Sequence, residues 1–468
     1  MSGTNNNKQF EFDIHPESIS YVDKITQELD KELNTAKTMR VLVYPNITWQ
    51  KNLEQDSYVQ VLKNMIRELR DKDIFWTILS PKHIDGLDFD NTEQLMWELP
   101  TYPPAMRSHF DVVKFTKLVG HDRDFDLVMS HLPEHTHQLV NTLYNLTHHI
   151  PKVIGYAHWF DFDHIVVWAK DSFKQNICGI LEMEKCYINT QAQKNMVLEQ
   201  ASNHFNSQTI HELDNILTVQ YLGVNEEDII SEYSEYHDNT IVFNHRPESY
   251  KHYKEFIQLM DILWEQRQDF KVWVPLLPGE PDRPYLTNEK FDKQGYYDKL
   301  KTCCVGFSPK QKYGGWSVAT TDGMMNGCPY IMYDGDYYHE LWNDADFFTT
   351  DQEALDLLNI YLDDSEHRFK MQKLGCNHLS TKLNYKYEME KMYKDFCDIV
   401  NNSKATNSNK TNELIEIIKK SGSITKEELF KKHCAWGRGI KFTPYRRALM
   451  KHPNIFDVMD KMPVYTWI

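Results

Sequence analysis

The chain has 468 residues, 41% of them hydrophobic, and a formal charge of −16 at pH 7. That length suits two or three domains of about 100–200 residues each, and no apolar run approaches the ~20 residues a membrane-spanning helix needs. Eight cysteines without C-x-x-C spacing point to reduced thiols and exclude a disulfide frame or a zinc module.

The opening residues, MSGTNNNKQFEFD, lack the charged-then-apolar order of a secretory signal, so a cytoplasmic protein is expected. Charge is unevenly placed. From Ser403 to Ile468 there are thirteen Lys and Arg against six Asp and Glu, a net of +7, which leaves −23 on the rest. A basic module on an acidic, enzyme-sized body suggests two jobs on one chain.

In chain order, residues 1–37 are polar and carry no assigned chemistry. Arg40–Pro45 reads as a buried strand and Tyr58–Lys72 as an amphipathic helix, with Val59, Leu62, Met65, Ile66 and Leu69 on one face. Further strands are predicted at Ile74–Leu79, Asp126–Ser130, Lys152–Tyr156, Lys185–Asn189 and Ile216–Val219. Helical patterns lie between most of them, and that alternation implies a parallel sheet covered on both faces. After an acidic connector the alternation restarts at Thr240–Asn244, followed by a helix at Tyr253–Trp264 and strands at Lys271–Leu276 and Thr302–Phe307. Helix-forming sequence from Asp351 to Ile399 is expected to complete this second unit and pack back across the first. The expected domains are therefore 38–232, 233–400, a polar linker at 401–412 and a small module at 413–468.

One stretch, Lys312 to Leu341, orders its parts as a phosphate cradle. Gly314 and Gly315 form a loop, Val318–Asn326 a short helix, Gly327 a stop, and Cys328–Tyr333 an apolar strand. Unpaired N–H groups at a helix start favour an anion there. This order resembles the donor-binding segment of GT-B glycosyltransferases, in particular their large retaining nucleotide-sugar family. That segment runs glutamate, Gly-Phe-Gly, an aliphatic stretch, a second glutamate, then Ala-Met-Ala-x-Gly-x-Pro. Here Gly315-Trp316-Ser317 takes the place of glycine-aromatic-glycine, and Asp322 to Pro329 takes the rest. Two departures stand out: the second acid is Asp322, and the first falls on Gly314 and is lost. The resemblance implies an α/β, GT-B architecture of two Rossmann-like domains facing a cleft.

The segment Asn244 to His252 resembles the same family's Gly-Arg…Lys-Gly run, which puts Arg246 and Lys251 opposite the donor diphosphate. Cations fixed where leaving-group charge develops lower the barrier most where water is excluded. The resemblance also implies that Asp322 accepts from the ribose hydroxyls and that Ser317 and Val318 offer backbone N–H groups to the phosphates. The lost acid at Gly314 leaves the transferred sugar open.

Seven of the twenty-one histidines lie between His131 and His164. His131, Glu134, His135 and His137 follow one strand, and His158, Asp161, Asp163 and His164 another, where an acceptor is expected. His158 matches a family histidine that touches the donor sugar; Asp161 or Asp163 would be the general base if transfer inverts configuration. Asp161-Phe162-Asp163 has a metal-binding D-x-D form, but three other such triplets dilute it. Metal-independent transfer from a nucleotide-sugar cosubstrate, a UDP-sugar by the resemblance, is expected, with no other cofactor.

In the basic module, helices starting near Glu413, Thr425 and Thr443, with strands at Ile455–Val458 and Val464–Ile468, resemble a winged-helix domain. Its third helix offers Lys441, Tyr445, Arg446, Arg447 and Lys451, with Arg438 nearby, to double-stranded DNA. A nucleotide-sugar body with such a module resembles the phage DNA glycosyltransferases, which modify hydroxymethylated pyrimidines in the host cytoplasm. A base must then be flipped out to be reached, with Trp159 and Phe160 placed to stack on it. Two other readings stay open: transfer to a glycan or lipid, and a DNA-binding regulator with an inactive body.

Overall fold

The structure, a computed structural model, describes residues 38–401 except 49–51, 54–55, 103–107, 122, 148–149, 158–159, 161, 163–171, 234–236 and 312–314, and beyond them 420, 423–425, 455–457 and 464–467. Two parallel sheets organise the body. The first contains β1 (Met39–Tyr44), β2 (Ile74–Ser80), β3 (Thr92–Met96), β4 (Leu127–Ser130), β5 (Lys152–Tyr156), β6 (Lys185–Ile188) and β7 (Leu217–Val219), in the order β3-β2-β1-β4-β5-β6-β7. The second contains β8 (Asp238–Val242), β9 (Lys271–Trp273), β10 (Leu286–Thr287), β11 (Cys303–Ser308), β12 (Tyr330–Tyr333) and β13 (Asp346–Phe348), in the order β10-β9-β8-β11-β12-β13.

Both sheets thus reverse direction beside their first strand, between β1 and β4 and between β8 and β11. In doubly wound sheets the crevice for a ligand opens at that switch point, outside the carboxyl ends of the strands. Strands buried on both faces need continuous apolar runs, and β1, β4 and β11 supply them; the four residues of β4 and the six of β11 are all buried.

Local signals set the helices. Asp56 caps Ser57–Glu68 by accepting from the N–H groups of Tyr58 and Val59, and Val59, Leu62, Met65 and Ile66 bury the face turned to the sheet. Thr350 and Glu353 form a reciprocal capping box at the start of Asp351–Asp363.

The stretch expected as helical from Asp351 to Ile399 is three helices: Asp351–Asp363, Ser365–Lys382 and residues 385–401. The last leaves the second sheet and packs on the first. Tyr385, Met389, Met392, Phe396 and Val400 recur at helical spacing and join the core around Trp76, with Phe396 edge-on to that indole at 6.4 Å. Asp395 fixes the crossing by accepting from Tyr187 Oη at 3.0 Å and pairing with Lys185. The outgoing and returning chains run side by side, with Val224 N–H donating to Leu383 O and Tyr385 N–H donating to Val224 O.

Beyond the linker, β14 (Ser423–Thr425), β15 (Ile455–Asp457) and β16 (Val464–Trp467) form an antiparallel sheet in the order β14-β16-β15. The expected pair of strands is present, but with a third added. Thr425, expected to cap a helix, ends β14, and the helix expected after it lies outside the described residues. Among the described residues no helix is long and apolar enough to cross a membrane.

Candidate functional site

The second sheet's switch point gathers two loops. One follows β8 and carries Asn244, His245, Arg246 and Lys251; the other follows β11 and leads through Gln311, Gly315 and Trp316 into the helix Val318–Met325. Ser317 caps that helix, its hydroxyl accepting from Thr320 N–H at 3.4 Å and meeting Thr320 Oγ1 at 2.7 Å. Thr320 Oγ1 also meets Ser308 Oγ at 2.7 Å, so buried hydroxyls tie the helix start to the end of β11. Beside Gly315 an added Cβ would find no atom of the described residues within 4 Å. Gly327 ends the turn after this helix at φ +78°, a left-handed conformation suited to glycine.

Arg246 is exposed and Lys251 half-buried. Burial, and then the Arg246 guanidinium, pull the Lys251 ammonium down to about 8. Its Nζ donates to Gln311 Oε1 and lies 5.6 Å from the Tyr250 ring centroid. The next residue, His252, has φ 49°, the non-glycine exception to negative φ among the described residues. Such strain sits beside functional groups more often than elsewhere. His245 is buried, and burial together with Lys251 pushes its imidazole well below the ordinary histidine value, so it is neutral.

Asp322 lies in the second turn of the same helix. Burial pushes its carboxyl up to about 7, against the opposing pull of Lys293 and with a further push from Asp228. Tyr296 and Tyr297 face it, each raised in part by its charge. Asn244 links the two loops: its Nδ2 donates to Ala319 O at 2.7 Å and to Tyr296 Oη at 2.9 Å, and its Oδ1 accepts from Tyr330 Oη at 3.0 Å.

Two contacts join this loop set to the carboxyl edge of the first sheet. Trp316 is buried against Tyr221, ring centroids 5.8 Å apart. Glu340, in the helix Asp336–Leu341, reaches the start of the helix Gln191–Ser202 and accepts from the N–H groups of Gln191 at 2.6 Å and Ala192 at 2.7 Å. Tyr221 bonds to the same carboxylate.

Of the residues expected from sequence, Arg246, Lys251, Gly315, Trp316, Ser317, Val318 and Asp322 therefore converge on one switch point. Gly314, His158, Trp159, Asp161, Asp163 and His164 lie outside the described residues, as do Arg438, Lys441, Tyr445, Arg446, Arg447 and Lys451. Phe160 corrects its expectation. It is buried in the first unit's core, 6.0 Å from the Phe162 ring, and is not free to stack on a base. His131 and His135 are also inside: His131 stacks on Tyr58 at 3.5 Å and accepts from Asn46 N–H, while His135 Nδ1 pairs with Tyr44 Oη at 2.9 Å. Glu134 accepts from Asn176, and His137 pairs with Glu182. Among the described residues no cluster of three or more His, Cys, Asp and Glu could hold a metal ion. Asn244, His245 and Tyr338 lie within the two stretches singled out from sequence but receive no role of their own there, and Gln311 lies one residue before the second; the strand order brings the two stretches together.

No protein-family model matches the chain, and no curated protein matches its sequence. Solved structures do. A trehalose-6-phosphate synthase aligns at TM-score 0.56 with 11% identity, over 76% of this chain and 98% of its own. HepE of Anabaena, solved with UDP-glucose, aligns at 0.56 with 11% identity, over 77% and 100%. TarM aligns at 0.55 with 10% identity, over 78% and 99%. Likeness at this identity concerns the backbone, and what it establishes is that the chain has the GT-B fold of these glycosyltransferases.

Proposed function

We propose that the protein transfers a sugar from a nucleotide diphosphate donor, a UDP-sugar, to a hydroxymethylated base in DNA. The observation that carries the donor half is the convergence of Arg246, Lys251 and the Ser317-capped helix start on one switch point. A diphosphate there meets two cations and unpaired helix N–H groups. Asp322 accepts from the ribose hydroxyls. As the bond from the sugar carbon to the diphosphate oxygen breaks, Arg246 and Lys251 take up the charge that develops on the leaving group. The acceptor oxygen bonds to that carbon, and its proton passes to the departing phosphate if configuration is retained, or to Asp161 or Asp163 if it inverts. His158 contacts the sugar. The reaction runs without a metal, because the two cations do the neutralising. That HepE was solved with UDP-glucose supports the choice of donor.

For the acceptor, support comes from the +7 carried by residues 403–468 and from the antiparallel sheet within them. A winged helix built on that sheet would present Arg438, Lys441, Tyr445, Arg446, Arg447 and Lys451 to double-stranded DNA. The match to a trehalose-6-phosphate synthase favours, as a second reading, a carbohydrate acceptor.

The test is incubation with hydroxymethylcytosine or hydroxymethyluracil DNA and a panel of nucleotide sugars, followed by mass spectrometry of the released nucleosides. A hexose or pentose increment is expected. No increment with any pairing, alongside transfer to a free sugar, would replace the DNA reading with the carbohydrate one. Removing residues 403–468 should weaken DNA binding and spare slow donor hydrolysis; undiminished DNA affinity would overturn the winged-helix assignment.

A further inference from the structure

The loop after β11 contains a buried side chain with no part in the reaction described so far. Gln311 is 8% exposed, and its side-chain oxygen, side-chain nitrogen and backbone N–H are all engaged. Its Oε1 accepts from Lys251 Nζ. Its Nε2 donates to Tyr338 Oη at 3.0 Å, and its backbone N–H donates to Tyr337 Oη at 2.7 Å. Tyr338 Oη in turn donates to Pro309 O at 3.1 Å, closing the bracket back onto the same loop.

We propose that Gln311 is a positioning residue that fixes the Lys251 ammonium at the diphosphate site. The proposal rests on the donor reading above. A lysine on a flexible four-carbon stem loses much rotamer freedom when it binds a ligand. An amide anchored at its other end by Tyr338 removes that freedom beforehand. A neutral acceptor also leaves the positive charge for the diphosphate, whereas a carboxylate at the same place would neutralise it. The charged and titratable groups facing Lys251 are consistent with that need. Arg246 and Tyr250 come from its own loop, His245 sits beneath it as a neutral ring, and Tyr338 lies behind Gln311.

The experiment measures UDP affinity of the full chain from pH 6 to 9.5 by titration calorimetry, for wild type, Lys251→Met, Gln311→Met and Gln311→Glu, with a melting curve for each. Lys251→Met should lose UDP affinity and its alkaline limb. Gln311→Met keeps the side-chain length without an acceptor and should weaken UDP about tenfold, with the alkaline limb moved to lower pH. Gln311→Glu should weaken UDP further and move the limb to higher pH, because a carboxylate holds the proton on Lys251. A role in packing alone would lower the melting temperature of both Gln311 variants and move neither limb. Wild-type affinity and limb in both Gln311 variants, with UDP lost in Lys251→Met, would overturn this proposal alone. Undiminished UDP binding in Lys251→Met, or no UDP binding by the wild type, would overturn the donor reading and this proposal with it.

Discussion

Replacing Asp322 with Asn isolates a carboxylate that the fold holds under tension. Burial raises it from 3.8 to about 7. Because the folded-state value lies above the unfolded one, the charged form works against folding. The penalty is absent below about pH 4, grows as pH rises towards 7, and is constant above that. A displacement of this size corresponds to about 4 kcal/mol, which solvent at the partly open edge of Asp322 reduces to about 2 kcal/mol. Asp322→Asn keeps the shape and removes the charge, so it should raise the melting temperature by about 4–8 °C at pH 8 and leave it unchanged near pH 4. Nucleotide binding should respond in the opposite sense. If Asp322 accepts from the ribose hydroxyls as proposed, it does so best as the carboxylate, so wild-type UDP affinity should fall as pH drops from 7.5 to 5.5, and the Asn variant should be weaker and flat. Differential scanning fluorimetry across pH, with UDP titrations at the same points, makes the comparison. A stability difference independent of pH, together with flat wild-type UDP affinity, would refute the reasoning.

Glu340→Ala removes a carboxylate that caps a helix across the two sheets, worth about 1–2 kcal/mol. The donor KM should rise and the radius of gyration from small-angle scattering should increase, whereas an unchanged radius would show that the contact does not hold the units together. Phe396→Ala opens the seam where residues 385–401 lie on the first sheet, and chemical denaturation should register a loss of about 3–5 kcal/mol. A loss below 1 kcal/mol would mean that the returning helix is not part of that core. Gly323→Ala would normally favour a helix, but here the new Cβ falls 2.2 Å from the buried Tyr330 ring. Melting curves should therefore show destabilisation of about 1–3 kcal/mol; a gain in stability would mean the ring can move aside.

How much could be read in advance depended on whether a feature is local. Each strand from β4 to β7 was expected within a residue or two of its observed ends, because a short apolar run bounded by polar residues marks a buried strand wherever it pairs. β3 was missed: its sequence, Thr92-Glu93-Gln94-Leu95-Met96, is mostly polar, as suits an edge strand half open to water. β10 and β13, with two and three residues, carry too little pattern to see. The loop and helix from Gly315 to Gly327 were visible because the glycines, the helix and its stop are contiguous; the Ser317 cap was not read. Gln311 was not, since its partners Lys251 and Tyr338 are sixty residues before and twenty-seven after it. The same limit explains Phe160. An aromatic residue after a strand reads alike whether it faces a ligand or, as here, its neighbour Phe162.

Two glycines of the second unit are linked through one side chain. Gly323 follows Asp322 in the helix Val318–Met325, and β11 contains the other, Gly306. An added Cβ at either position would strike the Tyr330 ring at 2.2 Å. Both glycines therefore clear a slot in which this fully buried tyrosine lies between β11 and the helix Val318–Met325. Its hydroxyl emerges at Asn244 Oδ1, and Asn244 Nδ2 holds Ala319 O in the first turn of that helix. The tyrosine thereby locks the loop bearing Arg246 and Lys251 to the helix bearing Asp322. Tyr330→Phe keeps the ring in its slot and removes the hydroxyl, leaving Asn244 Oδ1 buried without that donor, which costs about 1–3 kcal/mol. If the lock sets the spacing between the cations and the helix start, this variant should lose UDP affinity beyond what its melting temperature accounts for. A variant that melts earlier yet binds UDP normally would show that the slot serves packing and that the spacing is held elsewhere.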